Sequence, residues 1–166
     1  MLYQYNTSIS IYRCPADKST IETRDGTKLG QPRVRSYNMS QSINGYSDYD
    51  ANTWQYIPSF RKSVQIDDPS PSRLFVFLDV HEKEILDTEF GIPIASVGYF
   101  TGVWWDVPAN RHGQGCNFSF ADGHAEHWKW KVPKMITVPR GYIQPVAPGE
   151  MGDYNRVQSG FRQSFK

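Results

Sequence analysis

The stretch GCNFSFADGHAEHWKW, residues 115–130, decides the fold. Its first half alternates, with Cys116, Phe118 and Phe120 on one face and Asn117 and Ser119 on the other. Its second half also alternates, with Trp128 and Trp130 on one face and His127 and Lys129 on the other. A period of two is the pattern of a strand, and Asp122-Gly123 between the halves marks a hairpin corner. The loop chosen at that corner sets the register. A two-residue Asp-Gly loop places Phe118 opposite His127 and sends the tryptophans to the face away from the phenylalanines. A three-residue loop, Ala121-Asp122-Gly123, places Cys116 opposite Trp128 and Phe118 opposite Glu126, so that Phe, Cys and Trp share one face. A slip of one residue moves every side chain across the sheet. The three-residue loop is the expectation, with Gly123 left-handed in a G1 bulge.

Outward from the hairpin, RLFVFLDV (73–80) is a near-continuous apolar run bounded by turn residues, which reads as a buried central strand. The expected core is Leu74, Val76, Leu78, Phe118, Phe120 and Trp128. Short strands are expected near 9–14, 20–24 and 32–39, the last two flanking the Asp25-Gly26 turn. Residues 84–90 are expected to form one helical turn. The Asn-, Ser- and Tyr-rich segment 34–56 reads as a long surface excursion, and 92–110 as an edge strand or loop. Residues 133–166, with many Pro and Gly and no period, read as an extended tail on a head domain of residues 1–132. The fold class is therefore mainly β, a small antiparallel sheet with long loops.

Composition narrows the function. The chain has 166 residues, 14% of them aromatic, and a net charge of +1. Wholesale disorder needs low hydrophobicity and high charge, and this chain has neither. No basic run suits it to nucleic acid, and no apolar run is long enough to span a bilayer. MLYQYNTSIS lacks the features of a signal peptide.

Chemistry-bearing residues each have an ordinary reading beside the functional one. Asp79, Glu82, His112 and Asp122 are metal candidates, for calcium through oxygens or zinc through His and Asp. The ordinary reading is that Asp122 makes the turn and His112 bonds to backbone. His124 and His127, three apart on a strand, point to opposite faces. Cys116 lies on a core-facing position, where a thiol is inert, and Ser119 has no nucleophile-elbow context. Glu82, Glu84, Asp87 and Glu89, clustered in one loop, and Asp106 after two tryptophans could supply glycosidase carboxylates; the ordinary reading is a solvated acidic loop. Trp104, Trp105, Tyr46 and Tyr49 could form a binding surface for polysaccharide or protein. Cys14 and Cys116 are either two buried thiols or a bridge.

His112, nine residues, then Asp122-Gly123 forms an H-x9-DG pattern. Together with YRCPADKS (12–19), RVRSYNMS (33–40), PSRLFVFLD (71–79) and NFSFADGHAEHWKW (117–130), in that order, it resembles the prepilin-type H-X9-DG domain proteins, which are similar to type IV pilins and type II secretion pseudopilins. The resemblance covers most of residues 11–131. It implies a bacterial, extracytoplasmic head group with a structural rather than enzymatic role in a pilus-like or secretion-like assembly. The implied partners are copies of itself or other pilin-like subunits, with membrane contact only through an N-terminal helix that the chain lacks. His112, Asp122, Gly123, Cys14 and Cys116 are motif or structural residues on this view, and no catalytic or cofactor-binding residue is assigned. Calcium in the head is possible for such proteins, though no ligand set is carried over. An oxidising compartment favours the Cys14–Cys116 bridge. Without the helix, a strip of apolar sheet is expected to lie exposed or covered by a partner. A polysaccharide-binding module and a metal-dependent hydrolase built on Asp79, His112 and Asp122 are the competing functions.

Overall fold

The computed structural model describes residues 3–23, 25–44, 57–94 and 102–165. The chain is mainly β. Its principal sheet has five strands in the order β5-β3-β4-β7-β8. These are β3 (Tyr37–Ser40), β4 (Phe75–Asp79), β5 (Glu89–Phe90), β7 (Gly115–Phe120) and β8 (Ala125–Lys129). Among the described residues two small ribbons complete the strands: β1 (Thr20–Glu22) with β2 (Lys28–Pro32), and β6 (Val103–Trp104) with β9 (Gln144–Pro145). The sheet is mixed rather than wholly antiparallel, because β5 runs parallel to β3.

The β7–β8 hairpin has the expected register. Cys116 pairs with Trp128 and Phe118 with Glu126. Phe120 N–H donates to His124 O, Gly123 N–H donates to Phe120 O, and Gly123 is left-handed with φ 94°. A positive φ at this one corner is what glycine is needed for. The central strand is β4, between β3 and β7. It carries a bulge, since Phe75 pairs with Phe120 while Phe77 pairs with Ser119. The extra residue is Val76, which is only half-buried, and Phe75 takes the core position expected for it. The remaining expected core residues, Leu74, Leu78, Phe118, Phe120 and Trp128, are all buried.

Several local expectations need correction. Residues Ile9–Tyr12 form a 3-10 turn, not a strand. The segment closes a local bond from Arg13 N–H to Ser10 O. Residues 84–90 form no helical turn. Instead the edge of β3 draws Glu89–Phe90 into parallel pairing, with Met39 N–H on Thr88 O and Gln41 N–H on Phe90 O.

The segment 133–166 is not simply extended. Met151–Gln158 is a helix, and Tyr154 and Val157 from it join Phe161 in the main core. That i, i+3, i+7 spacing is a one-sided apolar stripe. Asp153 lies in the first turn, where its charge suits the helix dipole, and accepts from the Lys131 and Val132 N–H groups. Lys134, fully buried, sits 2.9 Å from both Glu150 and Asp153 and over the Trp130 ring. A buried ammonium is tolerable only with such pairing. Phe161 meets Phe75 edge-on at 4.7 Å.

Phe161→Ala is expected to cost about 3–5 kcal/mol in urea denaturation. A loss near zero would contradict the packing of this segment into the core.

Candidate functional site

A buried polar cluster lies where β4 ends. Asp79, the last residue of that strand, has no solvent exposure. Strand pairing sets its side chain on the same face as Tyr37, the face turned away from the aromatic core. Arg111 reaches it from the segment before β7, with Nη2 3.0 Å from Oδ1, and also contacts Val80 O and Glu82. His112 Nε2 lies 3.2 Å from Oδ2 and 3.3 Å from Cys14 Sγ. Oδ2 nevertheless has no hydrogen-bond partner. Cys14, Asp79 and His112 thus present three ligand atoms within 4.8 Å of one another.

His112 is held there by unusual backbone. His112, Gly113 and Gln114 are successive left-handed residues, with φ 58°, 70° and 64°. For two non-glycine residues that costs about 1–2 kcal/mol each. The turn persists because β8 and its flank grip it. His127 Nε2–H donates to His112 O at 2.9 Å, and Trp130 N–H donates to Gln114 O at 2.9 Å. The Gln114 side-chain amide returns a bond to Trp130 O. Gly115 follows, where a Cβ would stand 2.3 Å from His127 Nε2 and 2.7 Å from Trp128 O. No side chain fits there without moving backbone.

Further groups close the cluster. Asp17 is buried and accepts from Ser36 Oγ–H at 2.6 Å. Burial opposes its ionisation, but bonds from Ser36 and Ser19 outweigh this and keep its carboxyl below the usual range. Tyr37 bonds to Cys14, and burial together with Asp79 pushes its phenol up to about 12. Arg111 loses solvation, yet Asp79 holds its guanidinium more basic than usual. Burial pushes the Cys116 thiol well up, and its S–H donates to Asp79 O. Both cysteines are free thiols in this structure.

The sequence candidates separate accordingly. Asp79 and His112 converge, and Cys14 joins them across 98 positions of chain. Glu82 stands at the rim through Arg111. Asp122 does not join: β7 lies between it and His112, and its partner is His124 at the hairpin corner. The H-x9-DG spacing is therefore the length of one strand with its left-handed entry and its turn. Trp104 is fully buried against Tyr154 at 4.9 Å, so it offers no binding surface; Trp105 is half-buried on the core. Tyr46 and Tyr49 lie outside the described residues. The glycosidase carboxylates do not form a solvated loop: Glu84, Glu89 and Asp106 are buried. The arrangement also differs from a Cys-His-Asp relay, in which thiol and carboxylate use opposite ring nitrogens. Here both face Nε2.

Sequence reasoning missed Arg111, Asp17 and the link from Cys14 to His112. Four of the stretches that carry the H-x9-DG resemblance nonetheless meet here, contributing Cys14 and Asp17, Ser36 and Tyr37, Asp79, and His112. Among the described residues, no helix is long and apolar enough to cross a membrane. No family model, curated protein or solved structure matches the chain.

Asp106 supplies a test of burial. Burial raises its carboxyl well above 3.8, and Gly91 N–H donates to Oδ2 at 2.7 Å. A raised acid favours the protonated fold, so stability falls as pH rises above the unfolded value. Asp106→Asn, always neutral, lacks that fall. The stability of Asp106→Asn minus that of the parent is expected to rise as pH climbs above about 4, read from urea midpoints. Parallel profiles would contradict it.

Proposed function

We propose that this chain is the head of a non-enzymatic, pilin-like structural subunit, working outside the cytoplasm in a pilus-like or type II secretion-like assembly. Its partners on this reading are copies of itself or related subunits. The observation that supports it most is the sheet face opposite the aromatic core. Strand alternation turns Tyr37, Phe77 and Ala125 to that face, where they line an apolar groove of about 430 Å³ with Tyr5, Ile11 and Tyr12. Ile11 in that lining is more than half exposed. A groove this apolar suits an apolar helix packed along the sheet, which is what the resemblance implies for the intact subunit. The helix Tyr3–Asn6 contributes Tyr5 and Asn6 to the lining, so an N-terminal helix would enter beside it.

The reading has a direct test. The gene upstream of residue 1 is expected to encode a prepilin-type leader and an apolar run of about 20 residues. With that segment attached, the protein is expected to sediment as assemblies, and Phe77→Glu is expected to disperse them while the melting of the 166-residue chain changes little. A plain secretion signal upstream, or assemblies indifferent to Phe77→Glu, would overturn the reading.

A further inference from the structure

We propose that Cys14, Asp79 and His112 form a binding site for a single zinc ion, which clamps the N-terminal segment to the end of the central strand. This does not rest on the pilin-like reading. It rests on three features of the cluster.

The first is donor chemistry. A thiol, an imidazole and a carboxylate are all zinc ligands, and thiolate favours zinc over calcium or magnesium, which take oxygen. The calcium suggested by resemblance therefore has poor support here, since Asp79 supplies the one oxygen-bearing side chain of the trio.

The second is spacing. Zinc–ligand distances of about 2.0–2.3 Å in a tetrahedron place neighbouring ligand atoms roughly 3.2–3.6 Å apart. The observed Sγ–Nε2 and Nε2–Oδ2 distances are 3.3 Å and 3.2 Å. The remaining pair lies within 4.8 Å and needs only a small closure.

The third is an unmet need. Asp79 Oδ2 is buried and has no hydrogen bond, although His112 Nε2 stands beside it. One ring nitrogen cannot serve a thiol and a carboxylate together as a neutral group, whereas a cation between the three satisfies all of them. The left-handed turn at 112–114 holds the imidazole in place at a cost in backbone strain.

Charge is also in order. A Cys14 thiolate and an Asp79 carboxylate neutralise a divalent ion, and binding releases the thiol proton to solvent. Arg111 is then balanced by Glu82 and the nearby Asp17. Its hold on Oδ1 aims Oδ2 at the cluster, the outer-shell role that orients a ligating carboxylate. His112 is partly exposed and gives the ion a way in. Three protein ligands leave a fourth position for water.

The test uses the reduced full chain, stripped with chelator and titrated with zinc or cobalt(II). One equivalent is expected to bind, and cobalt is expected to show a thiolate-to-metal charge-transfer band. Zinc is expected to protect Cys14 from alkylation, read by peptide mass mapping. Cys14→Ser and His112→Asn are each expected to weaken binding at least 100-fold, Arg111→Gln about 10–100-fold, and His124→Asn, at the hairpin corner, to leave it intact. Should Cys14→Ser fail to fold, the cobalt band and the protection pattern of the parent still decide. Absence of the band, Cys14 alkylated equally with and without zinc, or a Cys14–Cys116 disulfide that persists in the folded chain under reductant would overturn the proposal.

Discussion

A carboxylate with no solvent exposure terminates the central strand, and much of the molecule is arranged to tolerate it. Taking an ionised group out of water is expensive unless it is paired and hydrogen-bonded. Arg111 meets that demand on one oxygen, while His112 and Cys14 stand near the other without a hydrogen bond to it. Supplying these partners explains features that otherwise look arbitrary. Arg111 and His112 must arrive together from one short segment, and the chain then has to reverse into β7. A left-handed turn does this, and β8 pays its strain through His127 and the Trp130 backbone.

The same anchor separates two faces of the sheet. On one side the aromatic core gathers Phe75, Phe118, Trp104 and the C-terminal Tyr154 and Phe161. On the other, the segment ending at Cys14 lies over Tyr37 and leaves the apolar groove beside it. Fastening Cys14 to the end of β4 therefore positions one wall of the groove. The proposed assembly role and the proposed zinc clamp meet at this geometry, although each stands on its own observations.

Legibility of the sequence followed the range of the interactions. The hairpin register could be derived in full, because alternation on both strands and a glycine corner leave one arrangement that buries Phe, Cys and Trp together. The central strand was readable as a strand, but not its bulge, which depends on pairing with β7 and exchanges Val76 for Phe75 in the core. The C-terminal helix was hidden by the surrounding Pro and Gly, although Tyr154, Val157 and Phe161 carry a helical stripe. At the site, Asp79 and His112 were visible as residues of the right type. Their union with Cys14 was not, because no local pattern links positions 98 apart. Asp122 keeps its ordinary reading as the turn residue: its nearness to His112 in sequence becomes distance once the intervening residues extend as a strand.

Asp79 is a coupled charge rather than a tolerated defect. A double-mutant cycle of Asp79→Asn and Arg111→Met, read by urea denaturation in chelator, measures that coupling. An interaction of about 1–3 kcal/mol is predicted. Additive effects of the two substitutions would contradict it.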